Sequence, residues 1–378
     1  MKAAGLIFSN IHDGAIPELT RIRTMASIPF GGRFRMVDFP LSAMVNAGIT
    51  TVGIITHFNY QSLLDHIGNG KDWDLARRSG GIRILPPFIT AYNAGAAGKL
   101  YETRLEALMG VMNFLTHCKE EHIVLSDCDL VCSLDLKDLL AYHTAQSADV
   151  TVVTKEVAPD FVSYAEGGLH TVKTDIDSRV VELSRLAPER ESAVSVSANI
   201  FVCRRAFLLD FLQNAQARGW KNFYTSLSRY LLRARIFAYR FDGYLSVIDS
   251  LRAYYDTNMQ MLDPAVQRQL FDSKRHPVYT KVRNSAPTTY LGGAQVKNSL
   301  IADGCVIDGT VENCVLFRGV RVGSGCVVRN SILMQDTYLG DRVHLDCVIT
   351  DKNVVVRDGR TLTGDATLPF FIGKGKMI

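Results

Sequence analysis

The chain has 378 residues, of which 47% are hydrophobic and 21% are charged, and its formal net charge is +4. A chain of this length is longer than a typical domain with a single hydrophobic core, so it predicts two domains. The small net charge argues against a nucleic-acid-binding role, and no apolar run approaches the length of a membrane span.

The cysteines are scattered along the chain. There are eight of them, none forms a C-x-x-C pair, and Cys128 and Cys132 lack partners at zinc spacing. We therefore expect buried free thiols in a reducing cytoplasm.

Residues 1–248 alternate apolar strand patterns with helical patterns. The predicted strands are Lys2–Phe8, Thr51–Thr56, Ile123–Ser126 and Val150–Thr154, and the predicted helices are Leu41–Ala47 and Ser62–Ile67. This alternation predicts a Rossmann-like α/β domain with a mostly parallel mixed sheet. Since ligands of such sheets bind at the carboxyl ends of the strands, we expect a nucleotide near the loop Ser9–Met25.

Residues 249–282 have helical spacing and are predicted to connect the domains. Apolar and amide residues recur every three or four positions, at Leu251, Tyr254, Tyr255, Asn258, Met259 and Leu262. Pro264 is expected to kink this helix or to begin a new one.

Residues 283–378 repeat with a period of about six, which predicts a parallel β-helix built from hexapeptide repeats. The repeated aliphatic residues are Ile301, Ile307, Leu316, Val322, Val328, Leu333, Leu339, Val343 and Ile349, and the corner glycines are Gly304, Gly309, Gly319, Gly323, Gly325 and Gly340. We interpret Cys305, Cys314, Cys326 and Cys347 as core or corner fillers. The open ends of such a stack favour self-association or a partner.

Ile28–Ser42, with the sequence IPFGGRFRMVDFPLS, resembles a signature of the ADP-glucose pyrophosphorylase family. Segments 61–68, 197–202 and 243–259 are also similar to that family, as is the C-terminal repeat. The resemblance implies a nucleotidyltransferase domain followed by a left-handed β-helix, and a tetrameric assembly. It also implies an activity that joins ATP and glucose 1-phosphate into ADP-glucose, with release of pyrophosphate, for glycogen or starch.

The residues that carry this chemistry in the family are replaced here. The family's phosphate loop, G-G-x-G-T-R-L, corresponds to Ser9–Ile16 (SNIHDGAI), and its G-T-A-D-A segment corresponds to Thr103–Ala107 (TRLEA). The resemblance places the lost loop arginine, nearby lysine, sugar-phosphate lysine and second metal aspartate at Ala15, Met25, Leu186 and Val247.

One carboxylate of the family's metal site is retained. An ungapped match places Asp129 at the first metal aspartate, a shifted match favours Asp127, and Asp249 could supply the second ligand in another register. Magnesium can be held by one or two carboxylates together with substrate phosphates. Removing one preorganised charge-stabilising group costs about 10²–10³ in rate, so several losses predict a nearly inactive chain.

These replacements resemble the non-catalytic, GlgD-type subunits that accompany a catalytic subunit in some bacteria. The resemblance implies a catalytic partner in a heterotetramer, with Mg²⁺ in that partner. We expect no intact catalytic site, metal site or cofactor in the isolated chain.

Four arginines near the signature are candidates for binding a phosphorylated effector. Arg21 and Arg23 alternate, as do Arg33 and Arg35, and paired guanidinium groups suit phosphate recognition. The alternative is a solvated loop, or a salt bridge with Asp38. We interpret His12 and Asp13 as loop residues of a collapsed phosphate site, and Ala91–Lys99 as a loop near the nucleotide position.

Two other functions remain open. In the first, the chain is a working nucleotidyltransferase in which the four arginines replace the lost cations. In the second it is an acyltransferase, a class that often carries hexapeptide repeats and a histidine base, and His344 is the one histidine in the repeat. A lone histidine is more often a surface or structural residue.

Overall fold

The computed structural model describes residues 2–87, 101–159, 161, 169–187, 191–271 and 276–378. The predicted loop at residues 91–99 lies outside these ranges. Within them, no helix has the length and apolar character needed to cross a bilayer.

The N-terminal part combines one large sheet with helices on both of its faces. Its strands are β1 (Ala3–Phe8), β2 (Pro29–Phe30), β3 (Phe34–Arg35), β4 (Thr51–Ile55), β5 (Gly81–Leu85), β6 (His122–Asp127), β7 (Leu130–Cys132), β8 (Val150–Val157), β9 (His170–Thr174), β10 (Val180–Arg185), β11 (Val194–Arg204), β12 (Ile236–Arg240) and β13 (Leu245–Val247). Its helices are α1 (Pro17–Thr20), α2 (Asp38–Asn46), α3 (Gln61–Ile67), α4 (Arg104–Gly110), α5 (Met112–His117), α6 (Leu136–Ala145), α7 (Arg205–Ala217) and α8 (Phe223–Ser228).

The large sheet has the order β10-β9-β11-β6-β1-β4-β5, and β8 joins β11 to β12. Strands β6, β1, β4 and β5 are parallel, whereas β11 is antiparallel to both β6 and β8. The predicted Rossmann-like mixed sheet is therefore confirmed, and the loop Ser9–Met25 follows a strand of its parallel half. All six residues of β1 are buried, as expected for a strand covered on both faces.

The connecting segment consists of two helices, α9 (Leu251–Gln260) and α10 (Pro264–Phe271), so Pro264 begins a new helix. Helix α9 holds the signature segment, because the Tyr254 hydroxyl donates to the carbonyl of Pro29 at 2.6 Å. The Phe34 and Phe271 rings stack with their centroids 5.1 Å apart. The signature is thus packed against the connector, which gives it a structural role apart from chemistry.

The C-terminal part is the predicted left-handed parallel β-helix. Its strands are β14 (Thr289–Tyr290), β15 (Gln295–Lys297), β16 (Leu300–Ile301), β17 (Val306–Ile307), β18 (Thr310–Glu312), β19 (Val315–Leu316), β20 (Arg321–Val322), β21 (Val327–Arg329), β22 (Ile332–Leu333), β23 (Tyr338–Leu339), β24 (His344–Asp346), β25 (Val348–Thr350), β26 (Val355–Val356), β27 (Thr361–Thr363) and β28 (Phe370–Ile372).

These strands form three five-stranded parallel sheets, in which each strand pairs with its counterpart one coil away. Val322, for example, pairs with Ile307 on one side and Leu339 on the other, and all three are buried. The cysteines are free throughout the described chain, and Cys305, Cys314 and Cys326 are buried in this stack as expected. His344 is exposed on β24, which agrees with a surface role.

The two parts share a continuous hydrophobic core. Met25 and Ile28 from the N-terminal part belong to the same buried cluster as Phe317, Ile332 and Met334 of the β-helix. Burial of apolar surface on both sides of this boundary stabilises one arrangement of the two parts.

Candidate functional site

Two aspartates lie where the central parallel strands end. Phe8 of β1 is in register with Ile55 of β4 and with Asp127 of β6, so the carboxyl ends of the three strands meet at one edge. Asp129 lies in the turn between β6 and β7, and both aspartates are buried. We refer to Asp127 and Asp129 as the aspartate pair.

His12 closes over the aspartate pair. Its Nε2 lies 2.7 Å from Oδ2 of Asp127 and 3.5 Å from Oδ2 of Asp129. In the described part of the chain, these three residues are the one group of His, Cys, Asp or Glu side chains with ligand atoms close enough to hold a metal, all within 4.8 Å. The sequence interpretation of His12 as a simple loop residue missed this contact.

Arg104 supplies a second cation to the pair. Its guanidinium donates to Oδ2 of Asp127, the same oxygen that faces His12, and both Arg104 and Asp127 are buried. Arg104 is the first residue of α4, whose start is fixed by a capping box between Thr103 and Glu106. Sequence reasoning noted this segment only as a replacement for the family's G-T-A-D-A and did not identify Arg104.

The proton affinities in this cluster reflect opposing effects. Burial alone would lower the pKa of His12, but the carboxylates of Asp129 and Asp127 outweigh it and raise that pKa to about 9. Burial raises the pKa of Asp129 to about 6, although His12 opposes this. The pKa of Asp127 is lowered, because Arg104 and His12 together overcome its burial. At neutral pH the cluster is thus close to electrically balanced.

The loop after β1 is held by two hydrogen bonds, one within the loop and one from Tyr101 outside it. The backbone N–H of Met25 donates to Oδ1 of Asp13 at 2.7 Å, and the Tyr101 hydroxyl donates to Oδ1 of Asn10 at 2.8 Å. Burial raises the pKa of Asp13 to about 7. A loop amide that could face a phosphate is therefore bonded to a side chain of the same loop.

The four candidate arginines are separated by the fold. Arg21 is exposed, and Arg23 is buried in an ion pair with Asp351 of the β-helix. Arg33 is exposed, whereas Arg35 is buried and donates to the carbonyl and hydroxyl of Ser62. Asp38 accepts from the backbone N–H of Arg35 and lies 2.6 Å from His66, so the described contacts of Asp38 differ from the arginine salt bridge considered as the alternative.

Arg33 and Arg35 line a small cleft between the two parts of the chain, together with cations from distant segments. We call this cleft, lined by Arg33, Arg35, Arg283, Arg318 and Lys352, the cationic pocket. Its volume is about 30 Å³, so only a small group or part of a ligand can enter it. Nε of Arg318 has no hydrogen-bond partner in the described structure and lies 3.8 Å from Asp303.

The cations of this pocket repel one another. Burial, with the charges of Arg35 and Arg23, lowers the pKa of Lys352 to about 7. Burial lowers the pKa of Arg35 to about 10, and burial together with Arg33 lowers that of Arg318. An anion in the pocket would relieve this repulsion.

Comparisons with known proteins agree with both parts of the fold. Residues 16–162 match the nucleotidyl transferase family model, and residues 288–368 match the model for a GlmU-like C-terminal hexapeptide region. The glycogen biosynthesis protein GlgD of Bacillus subtilis is 31% identical over 98% of this chain and 95% of its own length. The glucose-1-phosphate adenylyltransferase of Geobacillus stearothermophilus is 32% identical over 87% of this chain and 83% of its own.

The chain belongs to the glucose-1-phosphate adenylyltransferase family. The resemblance of the signature segment is thereby confirmed. The chain is a nucleotidyltransferase-like member of this family.

Three of the four positions at which the resemblance places lost charged residues carry side chains with apolar contacts. Met25 is fully buried, and Ala15 and Val247 pack against the same core. The fourth, Leu186, is half-buried, and its backbone N–H donates to the carbonyl of Leu169. The side chains at these positions offer no charge to a nucleotide or sugar phosphate.

A larger cavity of about 540 Å³ lies beside β13 and α9. Val247, Asp249 and Arg252 line it. Asp249 does not belong to the group formed by His12 and the aspartate pair. This geometry therefore does not support Asp249 as a second metal ligand, which stays a prediction.

Proposed function

We propose that the chain is a regulatory, non-catalytic subunit of a bacterial glucose-1-phosphate adenylyltransferase that acts in glycogen biosynthesis in the cytoplasm. Its partner would be a catalytic subunit of the same family, in a heterotetramer. That partner would bind Mg²⁺ and convert ATP and glucose 1-phosphate into ADP-glucose and pyrophosphate.

The observation that carries this proposal is that two cationic side chains of the chain itself contact Asp127 of the aspartate pair. Nucleotidyl transfer depends on cations and loop amides that face the phosphates. Here Asp127 is bonded to His12 and Arg104, and the Met25 amide is bonded to Asp13. A carboxylate and a loop amide at the predicted nucleotide position are therefore bonded to side chains of the chain itself, while the surrounding fold and the interdomain core are intact.

The cationic pocket supports the regulatory part of the proposal. It joins Arg33 and Arg35 of the signature to Arg318 and Lys352 of the β-helix. A phosphate group bound there would contact both parts of the chain and could change their relative stability. We propose a phosphorylated effector whose phosphate enters this pocket.

The test combines this chain with a catalytic subunit from the same source. ADP-glucose formation is measured for the limiting catalytic subunit alone, for this chain alone and for the mixture, with inorganic phosphate and phosphorylated sugars as effector probes. We expect no activity above background from this chain alone, and a changed rate or substrate KM in the mixture.

The matched variants are Arg318→Met in the pocket and Arg342→Met elsewhere on the β-helix. Arg318→Met should weaken the response of the mixture to the effector probes, whereas Arg342→Met should preserve it. Robust ADP-glucose synthesis by this chain alone would instead establish the alternative, a competent nucleotidyltransferase with an altered site.

A further inference from the structure

Arg104 lies in an enclosed environment that fixes its charge. Four aromatic rings surround the guanidinium, with centroids 5.4–5.9 Å from its central carbon, and they belong to Phe8, Phe201, Phe223 and Tyr224. Aromatic faces attract a cation, and an arginine stays charged in proteins. The position therefore holds a permanent positive charge against Asp127.

We propose that Arg104 is a built-in cation that replaces a divalent metal ion at the aspartate pair. The family resemblance implies a metal aspartate at this edge of the sheet, but a fixed guanidinium against Asp127 does not fit an adjacent hard divalent ion. Oδ2 of Asp127 already faces Arg104 and His12, and Mg²⁺ prefers several oxygen ligands in octahedral geometry. This inference deepens the proposed non-catalytic function and rests on it.

The fold leaves little freedom for Arg104 to withdraw. Its side chain is buried, the capping box fixes the first turn of α4, and the rings come from β1, β11 and α8. An incoming ion would have to displace the guanidinium from Asp127 towards the surrounding aromatic rings. Because unpaired buried charges are costly, the ion pair with Asp127 is the stable arrangement.

One observation distinguishes this proposal from the alternative that the site has simply lost its metal ligands. Oδ1 of Asp127 and Oδ1 of Asp129 have no hydrogen-bond partner among the described residues. Oxygen ligands are thus still present, and the obstacle is the fixed positive charge beside them. Removing that charge should therefore create a cation site.

The probe is Mn²⁺, which accepts the same oxygen ligands as Mg²⁺ and is detected through the electron paramagnetic resonance of the free ion. The full chain is titrated as wild type, D129N, R104K, R104M and R104M/D129N. We expect no D129N-sensitive Mn²⁺ site in the wild type or in R104K. R104M should bind one Mn²⁺ at least tenfold more tightly than the wild type does. The added D129N substitution should abolish this site.

A wild-type Mn²⁺ site that D129N removes would overturn the proposal, as would a folded R104M that binds no more tightly than the wild type. If R104M does not fold, R104Q and R104Q/D129N take the place of R104M and R104M/D129N and are judged by the same outcomes. No catalytic partner is present in this experiment. An inactive chain that binds Mn²⁺ would therefore refute this inference and leave the proposed function standing.

Discussion

Arg23 and Asp351 form a buried ion pair across the two parts of the chain. One terminal nitrogen of Arg23 donates to Oδ1 and Oδ2 of Asp351 at 2.8 and 2.7 Å, and each side chain is no more than 3% exposed. The pair connects the loop after β1 to the segment that carries Lys352. Because of this contact, the conformation of the loop and that of the β-helix segment stabilise each other.

The first prediction concerns that pair. Arg23→Met should destabilise the chain by about 3–5 kcal/mol, because it leaves Asp351 buried without its cation. The double variant Arg23→Met/Asp351→Asn should recover much of this loss. Urea unfolding measures both, and Arg21→Met is the control, expected within about 0.5 kcal/mol of the wild type because Arg21 is exposed. Equal stability of the Arg21 and Arg23 variants would contradict the prediction.

The second prediction concerns the pH dependence of anion binding in the cationic pocket. The pKa of Lys352 is about 7, so Lys352 is charged below this pH and neutral above it. Sulfate keeps its charge in this range, and its affinity should therefore fall as pH rises from about 6 to about 8. Lys352→Met should bind sulfate weakly with a flatter pH profile, and the exposed Lys374→Met should behave as the wild type. Isothermal titration provides the measurement.

The same lysine should affect stability with a defined sign. Its pKa is lowered in the folded chain from an ordinary value of 10.5 to about 7, so the unfolded chain binds more protons between these values. Its contribution to the free energy of unfolding should therefore rise with pH from about 7 to about 10.5. Lys352→Met should remove this component of the pH slope, and an unchanged slope would argue against the lowered pKa.

The third prediction concerns the connector. Tyr254→Phe removes the hydroxyl that donates to the buried carbonyl of Pro29, and it should cost about 1–3 kcal/mol. The control is Tyr244→Phe, whose hydroxyl donates to Gln260 at an exposed position, and it should cost less than about 0.5 kcal/mol. Thermal and urea unfolding of the two variants distinguish them, and equal losses would show that the Pro29 contact adds nothing specific.

The sequence predicted the fold well because the fold depends on repeated or local patterns. The six-residue period identified the β-helix, and the Ile28–Ser42 segment, recognised from its local sequence, packs on α9 and α10. The contacts of the candidate site were harder to predict. His12 and Asp127 are 115 positions apart, and no periodic signal connects them.

The cationic pocket shows the same limit. Arg33 and Arg35 were identified from their spacing. Arg318 and Lys352 lie beside them only because the β-helix packs against the signature segment. Arg23 also belongs to a pair of alternating arginines, but it forms an ion pair with Asp351 instead. Local spacing can therefore nominate arginines for phosphate binding without showing which of them are already paired.

The last prediction separates two roles that glycine has in the β-helix. A Cβ on Gly323 would lie 2.5 Å from the backbone carbonyl oxygen of Gly340 in the next coil, whereas Gly359 has φ +70° and open space around its Cβ position. Asparagine tolerates the left-handed conformation but still carries a Cβ. Gly359→Asn should thus stay within about 1 kcal/mol of the wild type, and Gly323→Asn should cost about 1–3 kcal/mol or more because the coils must separate. Urea unfolding measures both variants. If Gly359→Asn were the more damaging one, backbone conformation rather than coil spacing would limit these corners.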